Sequence, residues 1–195
     1  MSVHAFSDPV FDSQRVFRTA MNALARPGKL QPFDPGVRPP EALPAEIAAL
    51  ALTLADHETP LWLDAVLTEA RDVADYLRFH TGAPIVSRPV EAAFALVCDT
   101  ALCPALMSFT LGTAEYPDRS TTVLIQTDTL RSPDALTLRG PGIAGTSVLR
   151  AEPLPPGFVR EWSENRRYFP RGVDVLMAAE GWLVGLPRTT EISEA

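Results

Sequence analysis

The sequence has few of the residues and none of the motifs on which the common enzyme chemistries depend. It contains one lysine among its seventeen basic residues, three scattered histidines and two cysteines. The motifs G-x-x-x-x-G-K-[ST], G-x-G-x-x-G, H-E-x-x-H and G-x-S-x-G are all missing. Nucleotide-loop, zinc-protease and serine-hydrolase chemistry therefore have no support in the sequence. We predict no metal site and can assign no catalytic residue.

The single lysine also argues against a pyridoxal phosphate (PLP) cofactor. A PLP enzyme forms a Schiff base with a lysine, usually in a covered pocket. Lys29 instead begins a proline-rich connector, residues 29–43, in which four prolines interrupt any apolar periodicity. We therefore predict no cofactor of this kind, and a connector that runs extended over the surface.

Charge and hydropathy restrict the partners and the compartment. The formal net charge of -7 argues against non-specific nucleic-acid binding, which requires a basic surface. No apolar run approaches the ~18 residues of a membrane span, and the N-terminus does not resemble a signal peptide. Cys98 and Cys103 form neither a C-x-x-C pair nor a zinc pattern, so buried free thiols are expected. These features predict a cytoplasmic protein that binds neither nucleic acid nor membranes.

The hydrophobic pattern predicts one α/β domain over residues 1–195, with a mixed central β-sheet flanked by helices. Its clearest unit is a C-terminal hairpin, in which two apolar runs, 173–179 and 182–186, are joined by Glu180-Gly181. Both runs are apolar at nearly every position, so both faces of this pair should be covered. Further helices are predicted from Asp12 or Ser13 to residue 25 and over 45–55, 68–80, 102–111 and 156–168, and further strands over 61–63, 90–98, 122–126, 135–138 and 147–151.

Three places could hold a small anionic ligand. In residues 112–122, Glu115, Asp118 and Arg119 crowd into a loop, although the same residues could simply build a turn. Arg188-Thr189-Thr190 offers a guanidinium fork and two hydroxyls, but the arginine could equally clamp a neighbouring carboxylate or lie at an interface. His80, at a predicted helix end, is more often a capping or packing residue than an acid or base.

Together these segments resemble the PhnH family, the H subunits of the bacterial carbon-phosphorus lyase system. The resemblance covers nearly the whole chain. Each motif alone is weak, and it is their order and spacing that identify the family. The motifs are FR (17–18), ARPG (25–28), DHET (56–59), FHTGAP (79–84), GTAEYP (112–117), GPGI (140–143), FPRGVD (169–174) and LPRTT (186–190).

The resemblance implies a subunit that supports transfer of the ribose 5-triphosphate unit of ATP to an alkylphosphonate. It implies a homodimer that works with the G, I and J subunits of the core complex and with an ATP-binding-cassette-like L protein. It also implies a fold like that of a reduced PLP-dependent transferase without the cofactor. Two roles stay open: an assembly subunit, which we favour, and a ligand-binding or catalytic subunit whose site would unite Arg188, Glu115, Asp118, Arg119 and His80.

Overall fold

The computed structural model describes residues 5–194, which form ten strands and five α-helices. The helices are α1 (Pro9–Ala25), α2 (Ala45–Leu54), α3 (Ala65–Glu69), α4 (Arg71–Thr81) and α5 (Phe158–Arg167). The strands are β1 (Gln31–Pro32), β2 (Leu61–Leu63), β3 (Ile85–Val86), β4 (Phe94–Val97), β5 (Thr122–Gln126), β6 (Leu136–Arg139), β7 (Ser147–Leu149), β8 (Asp174–Ala179), β9 (Trp182–Leu186) and β10 (Glu191–Glu194).

Seven strands form the main sheet, in the order β1-β9-β8-β5-β4-β2-β3, and the remaining three form a small antiparallel sheet, β10-β6-β7. Strands β3, β2, β4, β5 and β8 are parallel, whereas β9 is antiparallel to β8. The predicted α/β class and mixed sheet are thus confirmed. We call the side on which the parallel strands begin the amino edge, and the opposite side the carboxyl edge.

Alternate residues of the strands enter two separate cores. In β2, Leu61 and Leu63 join the core beneath α1, α2 and α4, whereas Trp62 packs against the other core. That second core lies beneath α5 and the small sheet, and its buried Phe109 makes an edge-to-face contact with Trp62 at 5.8 Å between ring centroids. The main sheet is therefore covered on both faces, as its nearly continuous apolar strands require.

The C-terminal hairpin lies in the interior of this sheet. Ala179 pairs with Trp182 across Glu180-Gly181, and the register continues to Val175 opposite Leu186. Both turn residues have positive φ, 51° and 75°, which suits a two-residue hairpin connection. In β9, Gly185 faces α1 and allows this helix to approach closely, because a Cβ on Gly185 would lie 2.5 Å from the carbonyl carbon of Ala23.

Several predicted elements differ from those in the structure. The prediction of a helix over 102–111 is wrong, because two 3-10 turns, Thr100–Leu102 and Leu106–Ser108, occupy this region instead. Pro104 and the short apolar runs there do not sustain an α-helical face. The helix expected over 68–80 is divided into α3 and α4 at Ala70, which adopts an extended conformation.

The first helix begins earlier than predicted. Asp8 accepts hydrogen bonds from the backbone N–H groups of Val10 and Phe11, and Pro9 occupies the first turn, so α1 begins at Pro9 rather than near Asp12. The 29–43 connector is also not confined to the surface. It supplies the edge strand β1 and buries three side chains in the core: Phe33, Val37 and Leu43.

No helix within residues 5–194 is both long enough and apolar enough to cross a membrane.

Candidate functional site

Sheet topology brings Arg188 to the beginnings of two parallel strands. Strand β9 runs antiparallel to β8, so the residues that follow β9 emerge at the amino edge, where β5 and β8 begin. Continuing the hairpin register beyond Val175 and Leu186 places Asp174 opposite Pro187, next to Arg188. We call the group formed by Arg188, Asp174, Ser120 and the carbonyls of Pro117 and Pro170 the Arg188 cluster.

Every N–H of the Arg188 guanidinium has a partner inside the protein. Nε donates to Asp174 Oδ1 at 3.1 Å, and Nη2 donates to Asp174 Oδ2 and to Ser120 Oγ. Nη1 donates to the carbonyl oxygens of Pro117, at 2.8 Å, and Pro170, at 3.4 Å. The backbone N–H of Arg188 adds a further bond to Asp174 Oδ1 at 2.7 Å. A guanidinium carries five N–H donors, so none remains for a ligand.

This geometry favours the clamp interpretation of Arg188 over a ligand-binding one. The Arg188 and Asp174 side chains are only 13% and 19% exposed. A bidentate arginine–carboxylate pair of this kind is strong and directional. It joins the end of β9 to the beginning of β8 and to the segment that leads into β5. Asp174 and Ser120 were not among the predicted site residues, although the hairpin register alone would have paired Asp174 with this corner.

The loop expected to bind a ligand is organised by its own backbone. Gly112 has a φ of 73°, and a Cβ there would lie 2.9 Å from the carbonyl oxygen of Pro117. Arg119 lies over the ring of Tyr116, with its guanidinium carbon 4.3 Å from the ring centroid. Glu115 and Asp118 are exposed, and neither carboxylate makes a hydrogen bond or ion pair with any of residues 5–194. The loop meets the Arg188 cluster through the backbone of Pro117 rather than through these side chains.

His80 lies apart from the other predicted site residues. It belongs to the last turn of α4, next to β3, and four strand spacings separate β3 from β8. At about 4.8 Å per spacing, this is about 19 Å along the amino edge. The His80 ring packs edge-to-face against Tyr76 and Phe79, and burial lowers the pKa of His80. One small ligand could not contact both His80 and Arg188.

The two threonines after Arg188 differ in their surroundings. Thr190 is fully buried, and its carbonyl oxygen accepts a 2.8 Å hydrogen bond from the indole N–H of Trp162. Thr189 lines a surface cleft of about 330 Å³ together with Pro141, Arg166 and Phe169. A second cleft, of about 260 Å³, has Arg166 in its wall as well. Its lining residues are Trp162, Ser163, Arg166, Arg167, Glu191 and Ile192.

The carboxyl edge, where ligands bind in many open α/β sheets, carries an anion of the protein itself. The fully buried Asp64, at the end of β2, accepts hydrogen bonds from the backbone N–H groups of Leu67, Cys98 and Asp99 at 3.0, 2.6 and 2.9 Å. These three donors converge as they would on a bound anion. The Asp64 carboxylate fills that position and joins β2, β4 and α3.

Both cysteines lie beside this carboxylate and are free. Burial, together with the charges of Glu161 and Asp64, raises the pKa of the Cys103 thiol to about 12. Burial, with the charge of Asp64, also strongly raises the pKa of Cys98. Both side chains are therefore protonated at neutral pH and unsuited to nucleophilic attack. Across the part of the chain that the structure describes, no three His, Cys, Asp or Glu side chains are grouped to hold a metal ion.

Comparison with known proteins gives consistent matches along nearly the whole chain. A sequence model of the bacterial phosphonate metabolism protein (PhnH) family matches residues 4–193. The alpha-D-ribose 1-methylphosphonate 5-triphosphate synthase subunit PhnH of Rhizobium meliloti (strain 1021) is 41% identical over 188 residues, which cover 96% of this chain and 94% of that protein. The putative C-P lyase subunit protein HtxG of Stutzerimonas stutzeri is 32% identical over 183 residues, which cover 92% and 85% of the two chains.

Proposed function

The chain belongs to the PhnH family of bacterial phosphonate metabolism proteins, and from this we propose that it is the H subunit of an alpha-D-ribose 1-methylphosphonate 5-triphosphate synthase. In this role it supports the transfer of the ribose 5-triphosphate unit of ATP to an alkylphosphonate in the carbon-phosphorus lyase system. The observation that carries the proposal is the 41% identity to a synthase subunit over 96% of the chain. The second relative, a putative C-P lyase subunit, supports the same system.

Within the synthase, we assign the chain an assembly role, because the residues that identify the family are used to build the fold. All five N–H donors of the Arg188 guanidinium bind partners inside the protein. Gly142, in the GPGI motif, lies against the ARPG motif, since a Cβ on it would be 2.3 Å from the carbonyl oxygen of Ala25. Gly172, in the FPRGVD motif, likewise faces the buried side chain of Asn165, which holds both the N–H and the carbonyl of Val173.

The position of these motifs supports an assembly surface. The DHET, FHTGAP, GTAEYP and FPRGVD motifs each precede one of the parallel strands β2, β3, β5 and β8, and LPRTT follows the antiparallel β9. All five therefore lie along the amino edge. Substrates of open α/β enzymes usually bind at the other edge, where Asp64 already occupies the anion position. An exposed row of loops at the amino edge suits contacts with other subunits.

We propose that these contacts include a second copy of the chain, the G, I and J subunits of the core complex, and the ATP-binding-cassette-like L protein. Both relatives are named as subunits, which supports a multi-subunit assembly. We also propose that the main sheet is a reduced form of the PLP-dependent transferase sheet that works without the cofactor. The exposed position of Lys29 supports only the part of this proposal that concerns the cofactor, because a Schiff-base lysine requires a covered pocket.

The proposal is tested by reconstitution. The chain is co-expressed with its G, I and L counterparts, and adenine release from ATP and methylphosphonate is measured with and without it. We expect release to require the chain. Adenine release at the same rate without the chain would refute the proposed function. Light scattering of the isolated chain tests the homodimer separately, and a monomer at micromolar concentration would contradict it.

A further inference from the structure

We propose that the two clefts on either side of Arg166 bind the triphosphate-bearing ligand of the synthase, with phosphates on Arg166 and Arg167 and a base or sugar against Phe169. This inference rests on the proposed function for the identity of the ligand. It concerns residues other than the Arg188 fork, Glu115, Asp118 and Arg119. It would give the subunit a ligand site in addition to its assembly role.

The arginines beside the clefts are available, in contrast to Arg188. Arg166 Nη2 lies 3.8 Å from Glu191 Oε2, beyond hydrogen-bond distance, and the two side chains are 47% and 54% exposed. An ion pair this exposed contributes little to the stability of the fold. Arg167 makes no hydrogen bond or ion pair with any described residue. Two guanidinium groups with free donors thus stand on the last turn of α5, and planar forks of this kind suit phosphate oxygens.

Hydroxyls and an aromatic ring complete the lining. Ser163 Oγ donates to the carbonyl of Val159, which leaves its lone pairs free to accept. Thr189 lies in the wall of the larger cleft, as does Arg166. Phe169, in the same wall, is 60% exposed. An exposed ring beside an arginine is a surface on which a base can stack, and stacking of this type contributes about 1–3 kcal/mol per base.

The size of the clefts fits a nucleotide. The volume of one cleft, about 330 Å³, lies at the lower end of the range of small-molecule sites, about 300–1,000 Å³, and that of the other, about 260 Å³, lies just below it. Because Arg166 lines both, one extended ligand can lie across it. Glu191 is the one acidic group in the lining. Its charge opposes phosphate binding, so removing that charge should strengthen binding.

Isothermal titration of the isolated full-length chain with inorganic tripolyphosphate, ATP and adenosine tests the site. We expect tripolyphosphate and ATP to bind, and Arg166→Ala to weaken both by about tenfold or more, the loss of one charge-assisted contact. Phe169→Leu should weaken ATP but leave tripolyphosphate unchanged. Glu191→Gln should tighten both. Arg160→Ala removes the same charge from an exposed position of α5 outside both clefts, and should change neither affinity.

Two results would overturn the site: no binding of either phosphate compound, or an equal loss with Arg160→Ala and Arg166→Ala, which would indicate diffuse charge attraction only. Reconstitution separates this failure from a failure of the proposed function. If the chain is required for adenine release but binds neither compound, the proposed function stands and the ligand site is refuted. If the chain binds through Arg166 but is dispensable for release, the ligand site stands and the proposed function is refuted.

Discussion

Replacing Arg188 by alanine tests whether the Arg188 cluster is a structural clamp. The substitution removes all five side-chain hydrogen bonds and leaves the Asp174 carboxylate with only the backbone N–H of residue 188. Removing one partner of a buried ion pair costs about 3–5 kcal/mol. Because the pair is 13% and 19% exposed, we expect the lower value, about 3 kcal/mol of the free energy of unfolding. For a chain of this length, that lowers the melting temperature by about 6–12 °C.

The exposed pair Arg88–Glu91 provides a matched control. Its side chains are 67% and 44% exposed at a separation of 3.2 Å, so Arg88→Ala should cost less than about 1 kcal/mol. Urea unfolding of both variants gives the comparison. Arg188→Lys should recover only part of the loss, because one ammonium cannot reproduce the bidentate contact with Asp174 and the bonds to Ser120 and two carbonyls.

The assay has a second readout, co-purification with the partner subunits followed by adenine release. A clamp predicts that stability, complex yield and turnover fall together in Arg188→Ala. The clamp interpretation is refuted if the variant unfolds like Arg88→Ala and still assembles, yet loses turnover. That result would return Arg188 to the ligand-binding role.

Two further predictions test the packing of the sheet and its carboxyl edge. Gly185→Ala should cost about 3 kcal/mol or more or abolish folding, since its Cβ would collide with the backbone of Ala23. Gly145→Ala, where a Cβ meets nothing within 4 Å, should cost only about 1 kcal/mol through its φ of 82°. Equal melting temperatures of the two variants would contradict the collision. At pH 8, Cys98 and Cys103 should react with a thiol reagent at least about a hundredfold more slowly in the native chain than in urea. Equal reactivity of the native and unfolded chains would contradict the burial of the two thiols. Because the folded chain raises both pKa values, the free energy of unfolding should fall as the pH rises above the unfolded thiol pKa of about 8.5.

The sequence predicts those elements whose apolar pattern is long or whose ends carry clear signals. The β8–β9 hairpin follows from two apolar runs around Glu180-Gly181, and α4 ends at Thr81, where Gly82 with a φ of 71° forms a left-handed cap. Strand β10 has no such signal, because Glu191–Glu194 is mostly polar and exists through its pairing with β6. Strand β1 contains Pro32 and is stable only as an edge partner of β9.

The candidate site is less predictable, because it depends on which strand ends share an edge. Residues 112–122 and the Arg188 corner were each identified from composition, and the structure brings their backbones together through Pro117. The sequence groups His80 with them by residue type and its place at a helix end, yet the crossover through α3 and α4 carries it next to β3, four strands away from β8. Arg166 carries no local signal, and Phe169 is marked only as part of the FPRGVD motif, since an exposed arginine or aromatic indicates a ligand site only beside a cleft.

The difference between Arg188 and Arg166 connects assembly with ligand binding. Both arginines flank the segment from Phe169 to Asp174, because α5 delivers Arg166 to one end and Arg188 holds the other through Asp174. Pro170 accepts from Arg188, while its neighbour Phe169 lines the cleft. Loosening the clamp should therefore also disturb the cleft wall. Arg188→Ala should weaken ATP binding more than tripolyphosphate binding, since it displaces the Phe169 ring without removing the Arg166 and Arg167 forks. Equal weakening of both would show that the clamp does not position Phe169.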